Sequence, residues 1–115
     1  IEKEINNVLQ KSELKKFTEE LPEGVDTKIS EGGKNISGGQ IQRLAIARSI
    51  YLKKQILILD EATNALDEMT EKNIIKFILS LKSELTVIII SHNKENLVHC
   101  DKVFEIKNKK VIEKK

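Results

Sequence analysis

Two apolar runs of strand length restrict the fold of this chain more than any other feature. Residues 56–59 read Ile-Leu-Ile-Leu, and residues 86–90 read Thr-Val-Ile-Ile-Ile. Short aliphatic runs of this kind are typical of strands buried in a parallel sheet. The segment between them predicts a helix from residue 68 to about residue 82, because apolar residues recur there at helical spacing. A strand, a helix and a second strand favour an α/β fold.

Polar side chains stand directly after both predicted strands. Asp60 and Glu61 follow the first strand, and Ser91 and His92 follow the second. Open α/β sheets bind ligands at the carboxyl ends of their strands. A carboxylate there can hold Mg²⁺ through water, and a second carboxylate beside it can orient an attacking water. Two plainer interpretations stay open, since an Asp-Glu pair can cap a helix and a lone histidine is more often structural.

A glycine pair opens the helix-periodic run that precedes the first strand. Ser37 supplies a hydroxyl, and Gly38 and Gly39 let a ligand approach the backbone closely. The N–H groups at the start of a helix favour an anion, so this segment predicts a phosphate site. The alternative is an ordinary glycine-containing loop with a serine near the helix start.

Four segments together resemble the motifs of export-type ATP-binding cassette (ABC) ATPases, in the order and at the spacing of that family. They are a signature motif at residues 36–40, a Walker B motif at residues 56–61, a D-loop at residues 64–67 and an H-loop at residues 90–92. Ile36 stands where the signature usually has leucine, and Asn64 stands where the D-loop more often has serine. The resemblance covers nearly the whole chain.

The resemblance implies how the site residues act. Asp60 would bind Mg²⁺ through water, Glu61 would be the catalytic glutamate, and His92 would contact the γ-phosphate and help to hold the glutamate and its water. Asp67 would lie in the D-loop at a dimer interface. ATP bound by an opposing subunit would be contacted by four signature residues: Ser37, Gly38, Gly39 and Gln40.

The phosphate-binding loop of this family, Walker A, has no counterpart here, because no Gly-x-x-x-x-Gly-Lys-Ser/Thr sequence occurs in the chain. The resemblance therefore implies the C-terminal half of one ABC ATPase domain: a partial P-loop NTPase core with mostly parallel strands and a C-terminal hairpin. Residues 1–53 would form a portion of the helical subdomain with the signature helix, and residues 54–115 would form the core. Such a piece should expose apolar strand surface and hydrolyse little ATP alone.

The same resemblance implies a parent ATPase that powers export, with ATP and Mg²⁺ as cofactors. Its partners would be a second cassette, the missing Walker A half and transmembrane domains, with Glu31 as a contact to the last of these. It would act at the cytoplasmic face of the cell membrane, the inner membrane in bacteria.

Two other functions stay open. One is the C-terminal ATPase lobe of a chromosome-maintenance or DNA-repair protein of the same superfamily, although no heptad run enters the N-terminal segment. The other is a non-catalytic interaction module, which the presence of Asp60, Glu61 and His92 disfavours. A net charge of +2 gives no electrostatic reason to expect a nucleic-acid partner.

The two ends of the chain carry smaller predictions. Apolar residues at helical spacing near the N-terminus predict a short helical hairpin, with Ser12 capping its second helix. Near the C-terminus, Asn108 and Lys109 predict a turn between two short strands. Cys100 is the single cysteine, which excludes an internal disulfide and favours a partly buried structural thiol over a metal ligand.

Overall fold

A computed structural model describes residues 1–29 and 36–115 of the chain. Its helices within these ranges are α1 (Glu2–Lys11), α2 (Lys15–Glu19), α3 (Gly38–Tyr51) and α4 (Glu68–Ser80), with short 3-10 helices at Gly24–Asp26 and Lys94–Leu97. The strands are β1 (Ile56–Asp60), β2 (Thr86–Ile90), β3 (Phe104–Lys107) and β4 (Lys110–Glu113). None of the helices in the described ranges is long and apolar enough to cross a lipid bilayer.

Strands β1 and β2 form the parallel pair that the two apolar runs predict. Leu57 lies opposite Val87 and Asp60 lies opposite Ile90, so the two strands end at the same edge. Helix α4 connects them, as its apolar periodicity indicates. The α/β fold class is confirmed, and residues 1–29 and 36–115 contain one parallel pair and a separate antiparallel hairpin of β3 and β4.

The hydrophobic core lies on one face of the β1–β2 sheet. Leu57 and Leu59 point into it, whereas Ile56 and Ile58 are exposed, because successive side chains of a strand alternate between faces. Helices α3 and α4 supply the opposing core residues: Ile46, Ile74 and Ile78. The other face of the sheet leaves aliphatic side chains in solvent, among them those of Ile88 and Ile90. The expected exposed apolar strand surface is therefore present.

The N-terminal helical hairpin forms, but the prediction that Ser12 caps its second helix is wrong. Ser12 ends α1 as its C-cap residue, and Leu14 precedes α2 without a side-chain cap. The Ser12 hydroxyl is fully buried and makes no hydrogen bond within the described ranges. The chain reverses at Glu13 in a left-handed backbone conformation with φ of 60°. With the chain reversing one residue after Ser12, the residue that precedes α2 is Leu14, which has no side-chain oxygen to cap the helix.

The C-terminal hairpin turns at the predicted residues. Asn108 and Lys109 both have positive φ, 52° and 63°, which is the backbone pattern of a type I′ turn between antiparallel strands. Cys100 is partly buried near the end of the preceding 3-10 helix, and its thiol lies 3.8 Å from the Asn96 carbonyl oxygen. Its structural interpretation fits this placement.

Candidate active site

The predicted anion site is the N-terminus of α3, which is held by a capping box. The Gln40 backbone N–H donates to Ser37 Oγ at 3.2 Å, and the Ser37 backbone N–H donates to Gln40 Oε1 at 2.9 Å. A hydroxyl has one hydrogen to donate besides its acceptor lone pairs, and this hydrogen is not used in the capping box. Ser37 can therefore stabilise the helix and still donate to an oxyanion at the helix end.

Packing, as well as access to the backbone, constrains one residue of the glycine pair, Gly39. A Cβ atom on Gly39 would lie 3.1 Å from the Ala65 carbonyl oxygen and 3.3 Å from a Leu66 methyl group, both tighter than ordinary contacts. A Cβ on Gly38 would meet the Ala65 Cβ at 3.7 Å, an ordinary van der Waals distance. Gly39 thus lets the start of α3 press against the loop that follows β1, a constraint that sequence reasoning missed.

Glu61 is fixed at the end of the parallel sheet by its backbone. Its N–H donates to the Ile90 carbonyl oxygen at 3.0 Å, which continues the β1–β2 ladder past Asp60. Its φ of 53° is in the left-handed region. That conformation costs a residue other than glycine about 1–2 kcal/mol. The residue type does not signal this turn in the sequence, because neither glycine nor asparagine stands at this position.

The structure brings Glu61 and His92 together. His92 Nε2 lies 3.3 Å from Glu61 Oε1, because adjacent parallel strands carry both residues to the same edge. The Glu61 side chain is 33% exposed, whereas the His92 side chain is 98% exposed. A carboxylate accepts several hydrogen bonds at once, so Glu61 can accept from His92 and from a water molecule. The pair is thus able to hold a water at the sheet edge.

Asp60 fits a limited role in metal binding. Its side chain is exposed at the last position of β1. The Asp60 carboxylate makes no hydrogen bond or ion pair with the described part of the chain. Residues 1–29 and 36–115 contain no cluster of three or more His, Cys, Asp or Glu side chains that could hold a metal ion. Mg²⁺ keeps several waters and uses one or two carboxylates together with substrate phosphates. Asp60 therefore suits an Mg²⁺ ion that arrives with a nucleotide.

Asp67 caps helix α4, as its position in the sequence indicates. Its Oδ2 accepts from the Thr70 backbone N–H at 3.1 Å. Hydrogen bonds from Thr70 lower the pKa of the Asp67 carboxyl, and the nearby Arg43 charge lowers it further. Asp67 is accordingly a carboxylate at neutral pH, with a structural role inside its own chain.

A contact between α3 and the loop after Glu61 was not anticipated from the sequence. The Gln42 side chain donates to Asn64 Oδ1 in a short hydrogen bond and accepts from the Ala65 backbone N–H at 2.9 Å. Both partners lie more than 20 positions from Gln42 in the chain. A single polar residue on the second turn of a helix also gives no periodic pattern, so the sequence does not indicate this contact. The structure therefore links the predicted anion site to the loop of the predicted carboxylates. Glu31, the predicted membrane-domain contact, lies outside the described residues.

Comparison with known proteins gives a consistent family. The sequence pattern of the ABC transporter family matches residues 2–64. The heterocyst differentiation ATP-binding protein HepA of Nostoc sp. is 43% identical over 112 residues, which are 97% of this chain and 18% of that protein. The ATP-dependent lipid A-core flippase 2 of Colwellia psychrerythraea is 40% identical over 110 residues, which are 96% of this chain and 19% of the flippase.

A solved structure shares the fold. The structure of a bacterial Atm1-family ABC exporter with ATP bound matches this chain with a TM-score of 0.80 at 35% identity, over 88% of this chain and 18% of that one. The chain thus spans less than a fifth of the length of each of these three proteins.

Proposed function

This chain belongs to the ABC transporter family, and from that membership we propose that it forms part of an ATP-hydrolysing domain that powers export across a membrane. The observation that carries the proposal is the Glu61–His92 contact of 3.3 Å at the ends of two adjacent parallel strands. The relatives support export, since two are named a lipid A-core flippase and an Atm1-family exporter. The chromosome-maintenance alternative is not favoured, because neither it nor a DNA partner is named among them.

Glu61 orients the water that attacks the γ-phosphate, and His92 keeps the glutamate and that water in place. Catalysis of phosphoryl transfer depends mainly on positioning and on stabilising charge, so a carboxylate held at the edge of a sheet suits the task. The exposed ring of His92 can reach a phosphate oxygen while its Nε2 contacts Glu61. Asp60, one residue earlier, would hold Mg²⁺ through water. The ion neutralises charge on the phosphates when it is bound.

A second cassette supplies the other nucleotide that this chain contacts. The N-terminal end of α3 offers helix N–H groups, the Ser37 hydroxyl and two glycines without side chains, which together suit a γ-phosphate. Four residues form that contact: Ser37, Gly38, Gly39 and Gln40. Asp67 lies in the D-loop at the interface between the two cassettes, where its carboxylate helps to arrange both sites.

The remaining partners follow from the same assignment. Residues 1–53 serve as a portion of the helical subdomain with the signature helix, and residues 54–115 serve as the Walker B and H-loop core. A Walker A segment completes the nucleotide site, and transmembrane domains contact the helical portion, with Glu31 as a candidate contact. The assembly works at the cytoplasmic face of a membrane, which in bacteria such as those of the named relatives is the inner membrane.

The proposal is tested by adding a separately produced cassette segment that carries a Walker A loop. Calorimetry with Mg-ATP and a phosphate-release assay are run on this chain, on the added segment and on the mixture. Turnover is expected only in the mixture. Glu61→Gln should lower it by about 100-fold or more while ATP still binds, because a positioned general base contributes that much.

Glu84→Gln is the matched control, since Glu84 is an exposed glutamate in the turn before β2. It should leave turnover unchanged. Tight ATP binding and turnover by this chain alone, or full turnover by Glu61→Gln in the mixture, would overturn the assignment.

A further inference from the structure

Gln42 holds the loop after Glu61 with both ends of its carboxamide. The Ala65 N–H can only donate, so Gln42 Oε1 must face it, and Nε2 is then directed to Asn64 Oδ1. The orientation of the Gln42 side chain is thereby determined by chemistry. A half-buried side chain that makes two hydrogen bonds to consecutive residues of one loop restrains that loop more than a single contact does.

The Ala65 N–H has its partner outside the turn that contains it. Two other N–H groups of this turn bond within it, from Asn64 to the Glu61 carbonyl and from Leu66 to the Thr63 carbonyl. The Ala65 N–H donates to Gln42 instead. The Ala65 carbonyl oxygen meanwhile lies against Gly39, where a Cβ would approach it to 3.1 Å. Helix α3 therefore holds the same residue through a hydrogen bond and through close packing.

Glu61 stands at the start of this turn and is restrained from two sides. Its N–H is bonded to Ile90 on β2, and its carbonyl oxygen accepts from Asn64, the residue that Gln42 also holds. The left-handed φ of Glu61 persists only where surrounding contacts enforce it. The bonds through Asn64 and Ala65 are the contacts of this kind on the loop side.

We propose that Gln42 is a positioning residue that couples nucleotide contact at the N-terminus of α3 to the placement of Glu61. The inference rests on the proposed function, because it assumes that α3 contacts ATP and that Glu61 orients the attacking water. A phosphate at Ser37 and Gly38 fixes the first turn of α3, Gln42 one turn later fixes Asn64 and Ala65, and the turn fixes Glu61. ATP bound to the partner cassette thereby holds the Glu61 carboxylate of this chain in position to orient water.

Substitutions that remove or keep the hydrogen bonds of Gln42 test this role in the complete parent transporter. Leucine has a volume similar to that of glutamine but can make neither hydrogen bond. Gln42→Leu should therefore lower the turnover number kcat roughly 10-fold or more, because small misplacements of a reacting group reduce the rate strongly. Gln42→Glu still accepts from the Ala65 N–H, and Asn64 can turn its amide to donate. This conservative variant should rescue most of the loss. Gln10→Leu, an exposed glutamine on α1, is the control and should leave kcat unchanged.

A double variant separates positioning from simple stability. Asn64→Asp alone keeps an acceptor for Gln42, whereas Gln42→Glu with Asn64→Asp places two carboxylates face to face, so kcat should fall well below the product of the two single effects. The KM for ATP and the melting temperature of Gln42→Leu should stay close to the wild type, which a purely structural role would not permit. Glu61→Gln is measured in parallel.

The outcomes distinguish a failure of the proposed function from a failure of the role proposed for Gln42. If Glu61→Gln keeps full turnover, the proposed function fails. If Glu61→Gln stops turnover but Gln42→Leu and the double variant match Gln10→Leu, the function stands and the role of Gln42 is refuted. A fall in melting temperature or a rise in KM that accounts for the lost turnover also refutes positioning.

Discussion

Adjacent residues of β1 provide a direct test of which face of the sheet is buried. Leu57 is 7% exposed and packs in the core with Ile74 and Ile78, whereas Ile58 is 60% exposed on the opposite face. Replacing each with alanine removes the same number of carbon atoms from consecutive positions of one strand. The two variants therefore differ mainly in the environment of the side chain that is lost.

The expected difference in the free energy of unfolding follows from burial. Leu57→Ala removes a buried side chain and leaves a cavity, which costs about 2–5 kcal/mol. Ile58 keeps 40% of its surface covered, so Ile58→Ala should lose about 1 kcal/mol of transfer free energy with no enclosed cavity. Urea unfolding followed by circular dichroism at 25 °C measures both. With a slope of about 1–3 kcal/mol per molar urea, a difference of about 2 kcal/mol separates the midpoints by about 0.7–2 M.

One result would refute the reasoning. A register shift by a single residue exchanges the two faces of a strand. Equal midpoints, or a larger loss for Ile58→Ala than for Leu57→Ala, would therefore show that the core does not lie where β1 places it. Loss of any folded baseline in Leu57→Ala, with a clear transition kept in Ile58→Ala, would agree with the assignment.

Other measurements test features away from the sheet face. Hydrogen bonds from Thr70 lower the pKa of Asp67, so its contribution to stability is full above the ordinary value of 3.8 and is lost as pH falls through the lowered value; Asp67→Asn should flatten this acid dependence of the melting temperature, and an unchanged dependence would contradict the cap. Burial raises the pKa of the Cys100 thiol, so maleimide labelling at pH 7.5 should be slower than that of an exposed cysteine peptide and should accelerate toward pH 9; equal rates would contradict the burial. Glu13→Gly should be about 1 kcal/mol more stable to urea than Glu13→Ala, because glycine adopts the φ of 60° without strain and both variants lack the carboxylate; equal stability would exclude strain there.

Much of the fold was predictable because its signals are local. The apolar runs predict β1 and β2 by composition, and the periodicity of residues 68–82 predicts α4. The proximity of Glu61 and His92 was also predictable, since neighbouring parallel strands end at one edge. Their catalytic roles stay predictions.

The errors and omissions come from choices that sequence alone does not resolve. Ser12 stands between two helices, and serine suits either end, so only the turn at Glu13 determines which helix it contacts. The two hydrogen bonds of Gln42 depend on how α3 packs against a distant loop. The left-handed φ of Glu61 carries no signal in its residue type. Long-range packing and local strain thus account for what the sequence pattern left undetermined.

Because the Glu61 N–H is hydrogen-bonded to Ile90 across the sheet, its deuterium exchange rate reports whether the sheet around the candidate catalytic residue is intact. Its amide hydrogen, bonded across the sheet at 3.0 Å, exchanges with solvent only when the strand pair opens. The Asn64 amide, held at 3.4 Å within a turn, should exchange sooner. If a variant loses turnover while the Glu61 amide still exchanges slowly, the substitution has altered the chemistry. If the Glu61 amide exchanges rapidly in that variant, the substitution has opened the sheet. One residue therefore separates a damaged reaction from a damaged fold within a single spectrum.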